Sequence, residues 1–154
     1  MTDRKDNQNE LKLSWSDVES DVLALAEKIK QDYQPEVVVI IAEGGWVPGR
    51  LLKKYLSAQY FSFGCNNYDQ NDKKLSAVEI YQSVPAEKIN GRKVLIFDEV
   101  ADSGETLEAV VSEIKKYQPS ILKSAVLYLK NKSIFQPDYW LKNVGKTWLV
   151  YPWE

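Results

Sequence analysis

Residues 94–106 read Val-Leu-Ile-Phe-Asp-Glu-Val-Ala-Asp-Ser-Gly-Glu-Thr, and this stretch decides the fold. Four consecutive large apolar residues predict a strand buried on both faces, the habit of parallel sheets covered by helices. The acidic pair Asp98 and Glu99 closes that strand, and the small residues Ala101, Ser103 and Gly104 turn the chain toward a helix. Two carboxylates at a strand's carboxyl end can take sugar hydroxyls, and free amides at the next helix start can take a phosphate. The stretch therefore asks for a ribose phosphate at the carboxyl edge of an open α/β sheet, where such sheets bind ligands.

Downstream, Leu107, Val110, Val111 and Ile114 recur at helical spacing and predict a helix over about residues 104–117. Upstream, Val-Val-Val-Ile-Ile at 37–41 is a second buried strand, preceded by the break at Pro35 and interrupted by Gly44 and Gly45. A helix starts near Pro48, whose fixed φ suits a first turn. Earlier still, Ser16 with Glu19 reads as a capping box opening a helix to about residue 32, with Val18, Val22, Leu25, Ala26 and Ile29 on its inner face. Residues 59–64 read as a short strand, and the polar run 66–74 as a long mobile loop with a return strand at 77–81. Further strands are expected at 124–129 and 147–151. Strand, glycine turn and helix in alternation give the α/β class. Residues 1–11 read as a disordered tail, leaving one domain over 12–154. Trp15 and Trp140 read as packing anchors.

The chain has 154 residues, enough for a true core. Its formal charge of -2, with acids and bases interspersed, offers no basic stripe for nucleic acid and no membrane anchor. It contains 0 histidines, which excludes an imidazole general base and most zinc centres. Acid-base work falls to carboxylates, and a metal should be a hard, oxygen-bound ion such as Mg²⁺. Cys65 is the single cysteine, so a disulfide within the chain is impossible. With a polar N-terminus, this predicts a cytoplasmic setting.

Taken together, 94–106 resembles the 5-phosphoribosyl-1-diphosphate (PRPP) motif of type I phosphoribosyltransferases: a hydrophobic strand, two acids, two small or apolar residues, an acid, then Ser/Thr-Gly-x-Thr. The resemblance implies that Asp98 and Glu99 hold the ribose hydroxyls and organise Mg²⁺. It gives Ala101, Asp102, Ser103, Gly104, Glu105 and Thr106 the 5′-phosphate, and Asp102 the catalytic position facing purine N7. Glu105 departs from the commoner Gly, Lys or Leu, and its side chain should point away from the phosphate. Residues 41–48, Ile-Ala-Glu-Gly-Gly-Trp-Val-Pro, resemble the family's diphosphate loop, which carries a cis peptide. This implies that Glu43, Gly44 and Gly45 meet the diphosphate, with Glu43 where the pattern has Arg.

Lys130 and the pair Trp148 and Leu149 match the family's purine-binding lysine, stacking aromatic and base-reading backbone. Glu154 matches an acid that assists Mg²⁺. The resemblance covers about residues 14–154 and points to the purine branch. It implies the type I phosphoribosyltransferase fold, a Rossmann-like, mostly parallel sheet flanked by helices with a small hood from the chain termini. It further implies transfer of phosphoribosyl from PRPP to a 6-oxopurine, closure of a loop near residues 66–85, and a homodimer through the face bearing Trp46. Two other readings stand beside it: a non-catalytic PRPP or nucleotide sensor on the same fold, suggested by Glu43, and a phosphate-receiving signalling domain. The latter fits poorly, because Asp98, Glu99 and Asp102 share one turn.

Overall fold

The computed structural model describes residues 9–154. Its centre is a six-stranded sheet in the order β4-β3-β2-β5-β6-β7. The strands are β2 (Val37–Ala42), β3 (Gln59–Tyr68), β4 (Lys74–Gln82), β5 (Lys93–Ala101), β6 (Ile121–Lys130) and β7 (Tyr139–Gly145). All neighbours pair in parallel except β3 with β4, which form an antiparallel hairpin at one edge. A separate two-stranded parallel pair joins β1 (Glu10–Lys12) to β8 (Trp148–Val150), a small hood made from both ends of the chain.

The buried runs divide by parity, as pleating requires. Val38, Ile40, Leu95 and Phe97 enter one core with helix α1 (Trp15–Lys30) and with α2 (Trp46–Leu52). Val37, Val39, Ile41, Val94 and Ile96 enter the other with α3 (Glu105–Lys115). The predicted inner faces of α1 and α3 are both buried. Asp21 is also buried on α1, where it accepts from Tyr128 Oη at 2.6 Å and Lys142 Nζ at 2.8 Å. Its charge is thus neutralised by one ion pair and one hydrogen bond across the face of the sheet.

Several sequence expectations shift. The capping box is formed by Ser14 and Asp17, not Ser16 and Glu19: Ser14 Oγ accepts from Asp17 N at 3.0 Å and Asp17 Oδ2 from Ser14 N at 2.8 Å. Glu19 instead bridges to Lys54 at 3.0 Å, beyond the end of α2. The polar run after Cys65 is mostly strand. Asp69 builds a tight turn, its Oδ1 taking the amides of Asn71 and Lys73 at 2.8 and 2.9 Å, so β3 runs to Tyr68 and β4 already starts at Lys74. The strands of 121–130 and 59–68 outrun their expected bounds, and β7 was not foreseen.

Of the expected tail, residues 1–8 lie outside the described residues, whereas Glu10 and Leu11 are placed in β1. Main-chain bonds alone fix it: Trp148 N donates to Asn9 O at 3.0 Å and Leu13 N to Val150 O at 2.9 Å. Trp15 is 55 % exposed but lies against Trp153, ring centroids 6.1 Å apart.

Removing the cap tests the reassignment. Ser14→Ala should cost ~1 kcal/mol and lower the melting temperature by roughly 2–4 °C, while Ser16→Ala, on the exposed side of the first turn, should leave it unchanged; the reverse ranking would restore the other box.

Candidate active site

The carboxyl ends of β2 and β5 are neighbours, so their two following loops face each other across a cleft of about 530 Å³. Asp98 is buried within β5, which runs three residues past it to Ala101 instead of closing at the acid pair, and it accepts the amide of Glu99 at 2.9 Å. Burial, and then the negative charge of Glu99, hold its carboxyl well above the ordinary range. Glu99 is half-buried, and its Oε2 is enclosed without a hydrogen-bond partner. Its carboxylate lies where a Cβ on Gly44 would sit, so a side chain there would displace the Glu99 carboxylate. Gly45 is more tightly constrained: a Cβ would meet the main-chain Ile41 O at 2.5 Å. The peptide between Ala42 and Glu43 is cis, as the resemblance implies. The Glu43 side chain is exposed.

Beyond Ala101 the chain turns through Gly104, at φ 84°, into α3. A side chain at Gly104 would strike Ser133 Oγ at 2.6 Å and Phe135 N at 2.8 Å, because the β6–β7 loop packs behind this turn. Ile134 N donates to Ser103 O at 2.8 Å, fastening that loop in place. Gly104 supplies no side chain to cap α3; Ser103 Oγ takes the Glu105 amide at 3.3 Å, and the other amides of the first turn are disposed for an anion. The Glu105 side chain does point away, toward the hairpin, where it meets Lys74 Nζ at 3.0 Å and Asn67 Nδ2 at 3.1 Å. These bonds, Asn67 first and Lys74 next, keep its carboxyl below the ordinary range.

A second chamber of about 190 Å³ adjoins the cleft, with Glu99, Val100 and Asp102 common to both walls. Lys130, buried at the end of β6, lies 5.1 Å from the ring centroid of Trp148 and 3.6 Å from Asp102 Oδ1. Leu149 lines the same chamber from β8, as do Tyr151 and Glu154. Glu154 Oε2 accepts the Tyr151 amide at 3.1 Å, closing the last turn. Most sequence-predicted residues thus converge: Gly44, Asp98, Glu99, Ala101 to Gly104 and Thr106 on the cleft, and Lys130, Trp148, Leu149 and Glu154 on the chamber, whereas Glu43, Gly45 and Glu105 do not line the cleft.

Three contributors were not picked out from sequence. Lys132 stands 3.2 Å from Asp102 Oδ1, so that acid faces two ammonium groups. Its signal was a second lysine just past a strand end. Cys65 lines the cleft with its thiol pushed up to about 11 by burial. Tyr151 buries its hydroxyl near the acid pair, which, after burial itself, raises the phenol's pKa.

Among the described residues no group of three or more carboxylate, Cys or His side chains forms a ready metal cage. The buried, unpartnered Glu99 Oε2 beside Asp98 is nonetheless a hard-oxygen donor set that suits Mg²⁺, with remaining ligands from substrate and water.

Comparison with known proteins now decides the family. A profile described as phosphoribosyl transferase domain matches residues 13–153. The chain belongs to the phosphoribosyltransferase family. It superposes on the purine phosphoribosyltransferase of Pyrococcus horikoshii Ot3 with a TM-score of 0.80 and 31 % identity, covering 94 % of each chain. A hypothetical protein from Neisseria gonorrhoeae with bound ppGpp gives 0.82 at 28 % identity, over 95 % of this chain and 89 % of that one. The xanthine-guanine phosphoribosyltransferase of Ruegeria sp. (strain TM1040) is 28 % identical across 92 % of this chain and 84 % of its own. Human phosphoribosyltransferase domain-containing protein 1 is 34 % identical over a shorter stretch, which spans 46 % of this chain and 32 % of that protein. The fold is therefore that of type I phosphoribosyltransferases, and the Pyrococcus and Ruegeria relatives are named as purine phosphoribosyltransferases. Among the described residues, no helix is long and apolar enough to cross a membrane.

Asp98 carries a pH test. Because its folded-state pKa is raised, the native protein binds that proton more tightly than the unfolded chain. The stability this gives is full below the ordinary carboxylate pKa and is lost as pH rises through the raised value. Asp98→Asn should therefore melt higher than wild type, with a gap wider at pH 8 than at pH 5; a gap independent of pH would contradict the assignment.

Proposed function

We propose that this protein transfers the 5-phosphoribosyl group of PRPP to N9 of a 6-oxopurine, xanthine, guanine or hypoxanthine, releasing diphosphate in purine salvage. The observation that carries the reading is the shared wall: Glu99 and Asp102 line both the phosphate cleft and the lysine-tryptophan chamber, so a sugar in one meets a base in the other.

In this reading the first-turn amides of α3 take the 5′-phosphate, and Asp98 and Glu99 accept the ribose hydroxyls. Trp148 stacks on the purine, Lys130 donates to O6, and the Leu149 backbone reads the base edge. The bond from the anomeric carbon to the diphosphate oxygen breaks with its electron pair leaving on diphosphate. N9 supplies the new pair, and the N7 proton passes to Asp102. Lys130 and Lys132 beside Asp102 balance its charge before the proton arrives. Asp98 and Glu99, with Glu154 at the base end, would hold Mg²⁺, which when bound neutralises charge on the diphosphate oxygens. The β3–β4 hairpin closes over the cleft and excludes water that would hydrolyse PRPP. The reading includes a homodimer through the face where Trp46 is 48 % exposed, and a cytoplasmic setting in keeping with the free thiol of Cys65. It calls for neither nucleic acid nor membrane as a partner.

A second reading, a nucleotide-binding regulator without transferase activity, is favoured by the acidic Glu43 in the diphosphate loop. Incubation with PRPP, Mg²⁺ and each base, followed by chromatography, separates the two. The proposal expects purine nucleoside 5′-monophosphate and diphosphate in equal amounts, and none after chelation of the metal; ligand binding without product would favour the regulator. Asp102→Asn should lower kcat by ~10²-fold or more while PRPP affinity stays close to wild type. Unaltered turnover would strip Asp102 of its role.

A further inference from the structure

We propose that Lys74 binds the diphosphate of the phosphoribosyl donor, supplying from the β3–β4 hairpin the cation that the loop at Glu43 lacks. The inference rests on the donor assigned above and names a contact for it that the motifs do not contain.

The need comes from charge. A diphosphate is multiply anionic, yet residues 43–45 offer it a carboxylate followed by two glycines. Without a protein cation, backbone amides and the metal of the reading above would have to offset the repulsion from an exposed Glu43 side chain. The described residues lining the phosphate cleft include two lysines, Lys74 and Lys132. Lys132 is engaged 3.2 Å from Asp102, on the wall that the cleft shares with the second chamber. Lys74 enters from β4 and lines the same cleft as Ala42 and Gly44.

The way Lys74 is held suits exchange. Its Nζ lies 3.0 Å from both carboxylate oxygens of Glu105, and both side chains remain substantially exposed, at 53 % and 36 %. Exposed ion pairs of this kind contribute little and are readily surrendered to a stronger anion. Glu105 keeps a second partner, since Asn67 Nδ2 donates to its Oε2 at 3.1 Å. When Lys74 turns to a phosphate, the carboxylate is thus still held away from the phosphate turn. Glu105 accordingly acts as a parking place: it stations a cation at the cleft and competes with the ligand for it. A merely structural bridge has no such asymmetry, and that difference is measurable.

Calorimetric titration with PRPP, with inorganic diphosphate and with a purine nucleoside 5′-monophosphate, all with Mg²⁺, tests the inference. Lys74→Ala should weaken PRPP and diphosphate roughly ten- to a hundredfold while the nucleoside monophosphate changes by less than about twofold. Lys74→Arg should keep the wild-type affinities. Glu105→Gln should tighten PRPP binding, opposite in sign to Lys74→Ala, and adding Glu43→Arg to Lys74→Ala should restore the lost affinity. Equal losses for diphosphate and monophosphate would put Lys74 on the 5′-phosphate and overturn the proposal. So would parallel weakening by Lys74→Ala and Glu105→Gln, which marks a structural bridge. PRPP bound equally by wild type and Lys74→Ala removes this role alone, whereas wild type that binds no PRPP removes the donor assignment itself.

Discussion

Two carboxyl groups driven together in the protein interior govern this molecule. Asp98 and Glu99 follow one another in the last part of β5, after its buried run, and the second is pressed against a glycine of the opposite loop. Glu99 Oε2 is enclosed without a hydrogen-bond partner, so holding the two acids side by side costs free energy. That cost is borne by the cores on either side of β5, where Phe97, Leu95 and Ile96 are fully enclosed. Under the proposed function, hydroxyl donors or a hard cation complete the pair, which makes ligand binding and relief of charge one event.

The fold was legible wherever apolar periodicity was strong. The runs 37–41 and 94–97 announced central parallel strands, and the 3.6-residue spacing in α1 and α3 named their inner faces. What escaped notice depends on main-chain bonding or polar turn chemistry. β1 is three exposed residues with no pattern to read, and it exists because amides of Leu13 and Trp148 find carbonyl partners. The hairpin hid behind Asn and Asp residues that look like loop and in fact build the Asp69 turn. Ser16 and Glu19 satisfied the capping spacing as well as Ser14 and Asp17 did, and only the chain's entry from β1 selects between them.

The site was legible because its residues come in short contiguous groups. Asp98 to Thr106 lie on one strand and its turn, and the chamber draws on two strand ends. Pairings across the sheet were not legible, since sequence spacing says nothing about which loops face each other. Lys132 beside Asp102, and Lys74 with Asn67 against Glu105, depend on β6 and β3 flanking the central strands on opposite sides. These contacts surround the PRPP motif with charges that belong to this chain in particular.

The hood has a temporal side. Among the described residues β8 pairs with no strand but β1, and β8 carries Trp148 and Leu149, which line the second chamber. During synthesis the parallel sheet and the turn before α3 can assemble before residues 148–150 exist, and under the proposed function purine recognition must wait for them to emerge and find residues 10–12. A nascent chain would therefore acquire its grip on a sugar phosphate before it could hold a nucleobase.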